Sequence, residues 1–187
     1  MIPDFIKNIN KSWTLFLDRD GVINRQIIGG YVSTPTEFEF LPGVLESLTY
    51  FSSIFKRIII ITNQQGVGKG IMTEVELAKV HEYMTDEINK TGGQIDAIYY
   101  CTEKAEVKNN CRKPSPVMAQ KAIVDFPEID LTKSIMVGDS LCDMEFGKNT
   151  GMNTIFAGND HTSTEAARIA DYKVKGLFEL KTIIEKL

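Results

Sequence analysis

Short apolar runs alternating with helix-periodic segments constrain this chain more than any other feature. Residues 15–17, 57–62, 97–101 and 134–137 are strand-like, and fainter runs follow at 153–156 and 172–174. Between them, Val44, Leu48, Phe51 and Phe55 share one helical face, as do Leu77, Val80, Met84 and Ile88. Thr73 with Glu76 forms a capping box that opens the second of these helices, and Gly92-Gly93 closes it. Ser115-Pro116 is expected to cap a helix reaching Asp125, another runs from after Asp139 to about Asn149 with Gly151 as its stop, and closing helices fall near 165–169 and 177–186. Strands separated by helices need right-handed crossovers, which predicts an α/β fold with a doubly wound parallel sheet covered on both faces. Residues 1–187 are expected to form a single domain without a large cap, with loops 25–40 and 102–112 as lids.

Ligands of such sheets sit beyond the carboxyl ends of the strands. There the first strand delivers Asp18 and Asp20, which point the same way in an extended segment, and Gly21 lets the chain turn close to a ligand. Two neighbouring anions repel unless a cation lies between them; an isolated D-x-D is equally the pattern of two solvated loop aspartates. The other strand ends supply Thr62 and Asn63, then Arg112 and Lys113, then Asp139 with Asp143 soon after. A carboxylate nucleophile, a second carboxyl group, a hydroxyl, a cation and further acids are the parts of phosphoryl transfer through an aspartyl-phosphate.

The bulk composition narrows the partners. With 43% hydrophobic residues the chain can bury one substantial core, and a net charge of −4 without a basic, aromatic-rich patch argues against nucleic acid. A small phosphorylated metabolite is the expected partner. No aliphatic run approaches the roughly 20 residues of a membrane span, and the first dozen residues lack the apolar stretch of a secretory signal. Cys101, Cys111 and Cys142 are too few and too irregular for a disulfide framework, so unpaired thiols and a cytoplasmic setting are expected. The oligomeric state is left open, with a monomer sufficient.

The segments LFLDRDGVIN, IIITNQQGVGKG, CRKP and MVGDSLCDM resemble the four motifs of the haloacid-dehalogenase (HAD) superfamily of phosphatases. With GGYV, FLPGV and IYYC, they are similar to the branch holding heptose bisphosphate and histidinol-phosphate phosphatases, over residues 14–158. The resemblance implies Asp18 as nucleophile, Asp20 as general acid and base, Thr62 on a phosphate oxygen, and Lys113 against the developing charge. It implies Mg²⁺ held by Asp18, the Asp20 carbonyl and Asp139, with Asp143 supporting the metal or Lys113. Asn24, Tyr31, Asn63, Gln64 and Arg112 are the expected substrate contacts. The neighbouring negative charge is expected to raise the pKa of Asp20.

One departure concerns zinc. Members of this branch often carry C-x-H followed by C-x-C ahead of the arginine-lysine-proline motif, whereas the matching positions here read Cys101-Thr102-Glu103 and Asn109-Asn110-Cys111. That is a poor tetrahedral donor set, and no structural zinc is expected. The segment Gly66-Val67-Gly68-Lys69-Gly70 lacks the P-loop residues at both ends and reads as a turn. His81, His161 and Cys142 are assigned no catalytic role. The resemblance implies an Mg²⁺-dependent phosphatase, first for the 7-phosphate of a heptose 1,7-bisphosphate, alternatively for histidinol phosphate or sugar phosphates more broadly. A module that only binds phosphorylated ligands is the non-enzymatic alternative.

Overall fold

Apolar residues at successive positions leave no face for water, and Thr14–Leu17 forms a strand, β1, buried along its whole length. In the computed structural model, which describes residues 1–158 and 164–187, a short helix α1 (Asp4–Lys7) precedes it. Then come α2 (Val44–Ile54), β2 (Arg57–Asn63), α3 (Gln65–Gly68), α4 (Glu74–Lys90), β3 (Ala97–Cys101) and α5 (Val117–Asp125). The rest is β4 (Ser134–Gly138), α6 (Leu141–Thr150), β5 (Asn153–Ala157), α7 (Thr164–Ile169), β6 (Tyr172–Val174) and α8 (Leu177–Ile184). His161 lies outside the described residues.

The strands form one parallel sheet in the order β3-β2-β1-β4-β5-β6. Because side chains alternate along a strand, the continuous apolar runs feed two cores at once. Leu15, Leu17, Ile58, Ile60, Ile135 and Val137 pack with α2, α4 and α8, while Phe16, Ile59, Ile61 and Met136 pack with α5 and α6. The chain winds outward from β1 through β2 to β3, then returns to place β4 on the other side of β1. That reversal opens a crevice at the carboxyl ends of β1 and β4, where the D-x-D segment and Asp139 emerge.

Three local expectations change. Ser115 does not cap α5: the helix starts one residue later than expected, at Val117, with Pro116 at its N-cap and no side-chain cap, while the Ser115 amide donates to the Arg112 carbonyl at 2.7 Å in the preceding turn. The glycine-rich segment after β2 begins as the short helix α3 rather than a turn, and it packs so tightly that a Cβ at Gly68 would come within 2.3 Å of the Thr102 carbonyl oxygen. The cysteines are not all unpaired: Cys101 at the end of β3 is disulfide-bonded to Cys111, and Cys142 is free. The pairing was invisible in the sequence because spacing alone does not tell which sulfurs the loop brings together. Beside the bond, Glu103 Oε2 accepts from the Cys111 amide at 2.7 Å.

The bond closes a short loop, which by chain-entropy reasoning contributes about 2–3 kcal/mol. Reduction, or Cys111→Ser, is expected to lower the urea midpoint accordingly. A thiol titration of the denatured, non-reduced protein is expected to find one free cysteine; finding three would contradict the pairing.

Candidate active site

Asp18 and Asp20 stand where β1 ends, and Gly21 makes the turn behind them with φ +85°. A Cβ at Gly21 would lie 1.8 Å from Asp139 Oδ2, so this backbone approaches the β4 acid as closely as only glycine permits. The residues open onto a cavity of about 420 Å³, lined among others by Asp18, Asp20, Tyr31, Thr62, Arg112, Lys113 and Asp139. That volume suits a small phosphorylated molecule.

Lys113 is the centre of the floor. Its ammonium has three hydrogens and all three are placed: on Asp18 Oδ1 at 2.8 Å, Asp143 Oδ1 at 2.5 Å and the Ile61 carbonyl at 2.8 Å. Burial alone would lower its pKa, but the charges of Asp143 and Asp18 outweigh it and hold the lysine protonated. Asn63, at the end of β2, clamps the Lys113 backbone from both sides, accepting from its amide at 2.9 Å and donating to its carbonyl at 3.3 Å. Asp143 also closes a capping box with Ser140 at the start of α6, accepting from both the Ser140 amide and hydroxyl.

Asp18, Asp139 and Asp143 offer oxygens within 4.8 Å of one another. Burial first, and the Asp143 charge next, raise Asp18 despite the pull of Lys113, and the same two causes raise Asp139 to about 7. Crowded hard oxygens with too little positive charge fit a small divalent cation. A carboxylate whose folded value lies above its unfolded 3.8 contributes its stability at low pH and loses it as pH rises through about 7. A divalent cation held between these acids would offset that loss, so the effect of added Mg²⁺ on the melting temperature is expected to be small at pH 5.5 and larger at pH 8. At this chain size each kcal/mol appears as about 2–4 °C. Melts with EDTA and with Mg²⁺ at the two pH values check this; a larger Mg²⁺ effect at pH 5.5 contradicts it.

Asp20 departs from expectation. Burial pushes it up, but the Arg19 charge and hydrogen bonds from Asn24, Arg19 and Gln64 together outweigh that, so its pKa is lowered rather than raised. Arg19 Nη2 donates to both Asp20 oxygens at 3.0 and 2.9 Å, Asn24 Nδ2 to Oδ1 at 2.9 Å and Gln64 Nε2 to Oδ2 at 2.8 Å. Asn24 and Gln64, expected as substrate contacts, do not line the cavity: both are buried and hold Asp20 from behind. Gln64 also donates to the Thr62 hydroxyl at 2.8 Å, leaving that oxygen at the cavity wall. Tyr31, Asn63 and Arg112 do line the cavity.

Sequence reasoning missed Arg19, which is fully buried with its guanidinium between Asp20 and His81. A charged residue locked between acids at the end of a buried strand was the available signal. Lys69, in the glycine-rich segment after β2, brings its ammonium to the Tyr31 hydroxyl at 3.1 Å on the cavity wall.

A family profile described as HAD-hydrolase-like matches residues 110–180. The chain is 39% identical over 137 residues to D-glycero-alpha-D-manno-heptose-1,7-bisphosphate 7-phosphatase of Mycobacterium tuberculosis, covering 73% of this chain and 72% of the relative. It is 33% identical over 181 residues to the D-glycero-beta-D-manno-heptose-1,7-bisphosphate 7-phosphatase of Haemophilus influenzae, covering 92% and 97%. The solved D,D-heptose 1,7-bisphosphate phosphatase of B. bronchiseptica, complexed with magnesium and phosphate, superposes with a TM-score of 0.84 at 25% identity, covering 94% of this chain and 99% of that one. With the crevice between β1 and β4 and four strand ends converging on it, these likenesses show that the chain belongs to the HAD superfamily, in the branch of the heptose bisphosphate phosphatases.

Proposed function

We propose that this protein is an Mg²⁺-dependent phosphatase that removes the 7-phosphate of a D-glycero-D-manno-heptose 1,7-bisphosphate through an aspartyl-phosphate on Asp18. The reading includes one domain over residues 1–187, with loops closing the site; the Cys101–Cys111 bond removes the unpaired-thiol argument for a cytoplasmic setting. The observation that carries it is the convergence of Asp18, Asp20, Lys113 and Asp139 on one small cavity.

An Asp18 oxygen attacks phosphorus, the bond from phosphorus to the sugar oxygen breaks, and Asp20 gives that oxygen its proton. Water then attacks the aspartyl-phosphate, Asp20 takes back a proton, and phosphate leaves with Asp18 restored. The low resting value of Asp20 suits the second half; the incoming phosphate dianion raises it for the first. Lys113 holds positive charge beside the reacting oxygens, and Thr62 offers a hydroxyl to the phosphoryl group. Asp18, the Asp20 carbonyl and Asp139 would hold Mg²⁺, which supplies a hard cation that offsets the repulsion between nucleophile and phosphate. Arg112 and Tyr31 stand toward the leaving group, where substrates are told apart.

The test is kcat/KM measured side by side for both heptose 1,7-bisphosphate anomers, histidinol phosphate and common hexose phosphates, with Mg²⁺. A heptose preference of about a hundredfold, about 2.7 kcal/mol of transition-state discrimination, is expected. No hydrolysis across the panel would favour a module that only binds phosphorylated ligands.

A further inference from the structure

Arg19 has no exposure at all, and a guanidinium carries five N–H donors that burial leaves to the protein to satisfy. Its Nη2 serves Asp20. Its Nη1 lies 3.1 Å from Nε2 of His81, in the middle of α4. Since Nη1 can only donate, Nε2 accepts, which places the ring hydrogen on Nδ1 and makes the imidazole neutral. Burial and then the Arg19 charge lower the His81 pKa to about 3, in keeping with that state. Tyr100, on β3, covers the ring with centroids 5.5 Å apart.

Asn24 and Gln64 each hold one oxygen of Asp20, whereas Arg19 spans both. Arg19 Nε has no partner among the described residues, so Nη1 on His81 is what ties the guanidinium to an element outside its own loop. Without that acceptor two of its nitrogens go unpaired in the interior, and the plane of the fork is free to rotate.

We propose that His81 is a positioning residue for the reaction: its Nε2 fixes the plane of Arg19, and Arg19 in turn aims the carboxylate of Asp20 at the leaving oxygen. The inference rests on the phosphatase reading above and names a residue that does not line the cavity.

The two roles of a buried histidine separate by leaving group. When the phosphorus–oxygen bond breaks, an alkoxide needs the Asp20 proton and p-nitrophenolate does not. kcat/KM reports only the steps through that bond cleavage. His81→Leu is expected to lower kcat/KM at least about tenfold on the heptose bisphosphate but no more than about twofold on p-nitrophenyl phosphate, with the loss in kcat rather than KM. His81→Gln, which keeps an acceptor of similar reach, is expected to restore most of the alkyl activity. If the leucine variant does not fold, His81→Asn, whose oxygen stops short of Arg19, makes the same comparison. Equal losses on both substrates, no loss on either, or no rescue by glutamine would overturn the proposal. A parent enzyme inactive on both substrates would instead withdraw the phosphatase reading, and this inference with it.

Discussion

Asp18→Asn is expected to lose at least about 10⁴-fold in kcat while remaining folded. The amide oxygen can still accept from the Arg19 amide, as Asp18 Oδ1 does at 2.7 Å, so the turn after β1 keeps its geometry. What disappears is the anionic oxygen that becomes esterified. Stability is expected to move the opposite way. Burial and the charges of Asp143 and Asp139 disfavour the ionised Asp18, so without divalent ions the asparagine variant melts at the same temperature as the parent or higher. Turnover within tenfold of the parent would remove Asp18 from the chemistry, and a marked fall in melting temperature would contradict the electrostatic account.

Lys113→Met is expected to damage both turnover and fold. Its ammonium separates Asp18 from Asp143, each almost fully buried. Removing one partner of such a group leaves uncompensated charge, a loss of about 3–5 kcal/mol, and with it goes the cation beside the phosphoryl oxygens, about 10²–10³-fold in kcat. The two losses come apart in a double variant. Adding Asp143→Asn removes one of the stranded charges, so urea unfolding is expected to recover part of the stability while turnover stays low. Recovery of both would mean that Lys113 acts on activity only through the fold.

Much of this was legible in the sequence, for a physical reason. A fully buried parallel sheet demands unbroken apolar runs, and those runs end abruptly at the residues that meet the ligand; Leu17-Asp18 and Val137-Gly138-Asp139 mark both the sheet edge and the cavity. Capping chemistry at Thr73 and Gly151 located helix ends because it depends on neighbours in the chain. Contacts set by the fold were not legible. The fork of Arg19, its partner on α4 and the pairing of Cys101 with Cys111 join residues that only tertiary structure brings together. The error on Asp20 is only partly of this kind: Gln64 comes from beyond β2, but the Arg19 charge and the Asn24 hydrogen bond come from one and four residues away in the chain, and weighing the neighbouring acid alone left them out. Asn24 and Gln64 were expected to meet substrate and instead stand behind the acid.

The grip of Asn63 on both sides of the Lys113 peptide has a consequence for how such an enzyme diversifies. Lys113 is anchored to β2, an interior strand, through the Ile61 carbonyl and Asn63, and not to the connecting stretch 102–111 that precedes it. Insertions or exchanges in that stretch, which meets the cavity only through Arg112 just after it, would leave the phosphate-splitting apparatus in place, so the scaffold can change what surrounds its chemistry without rebuilding it.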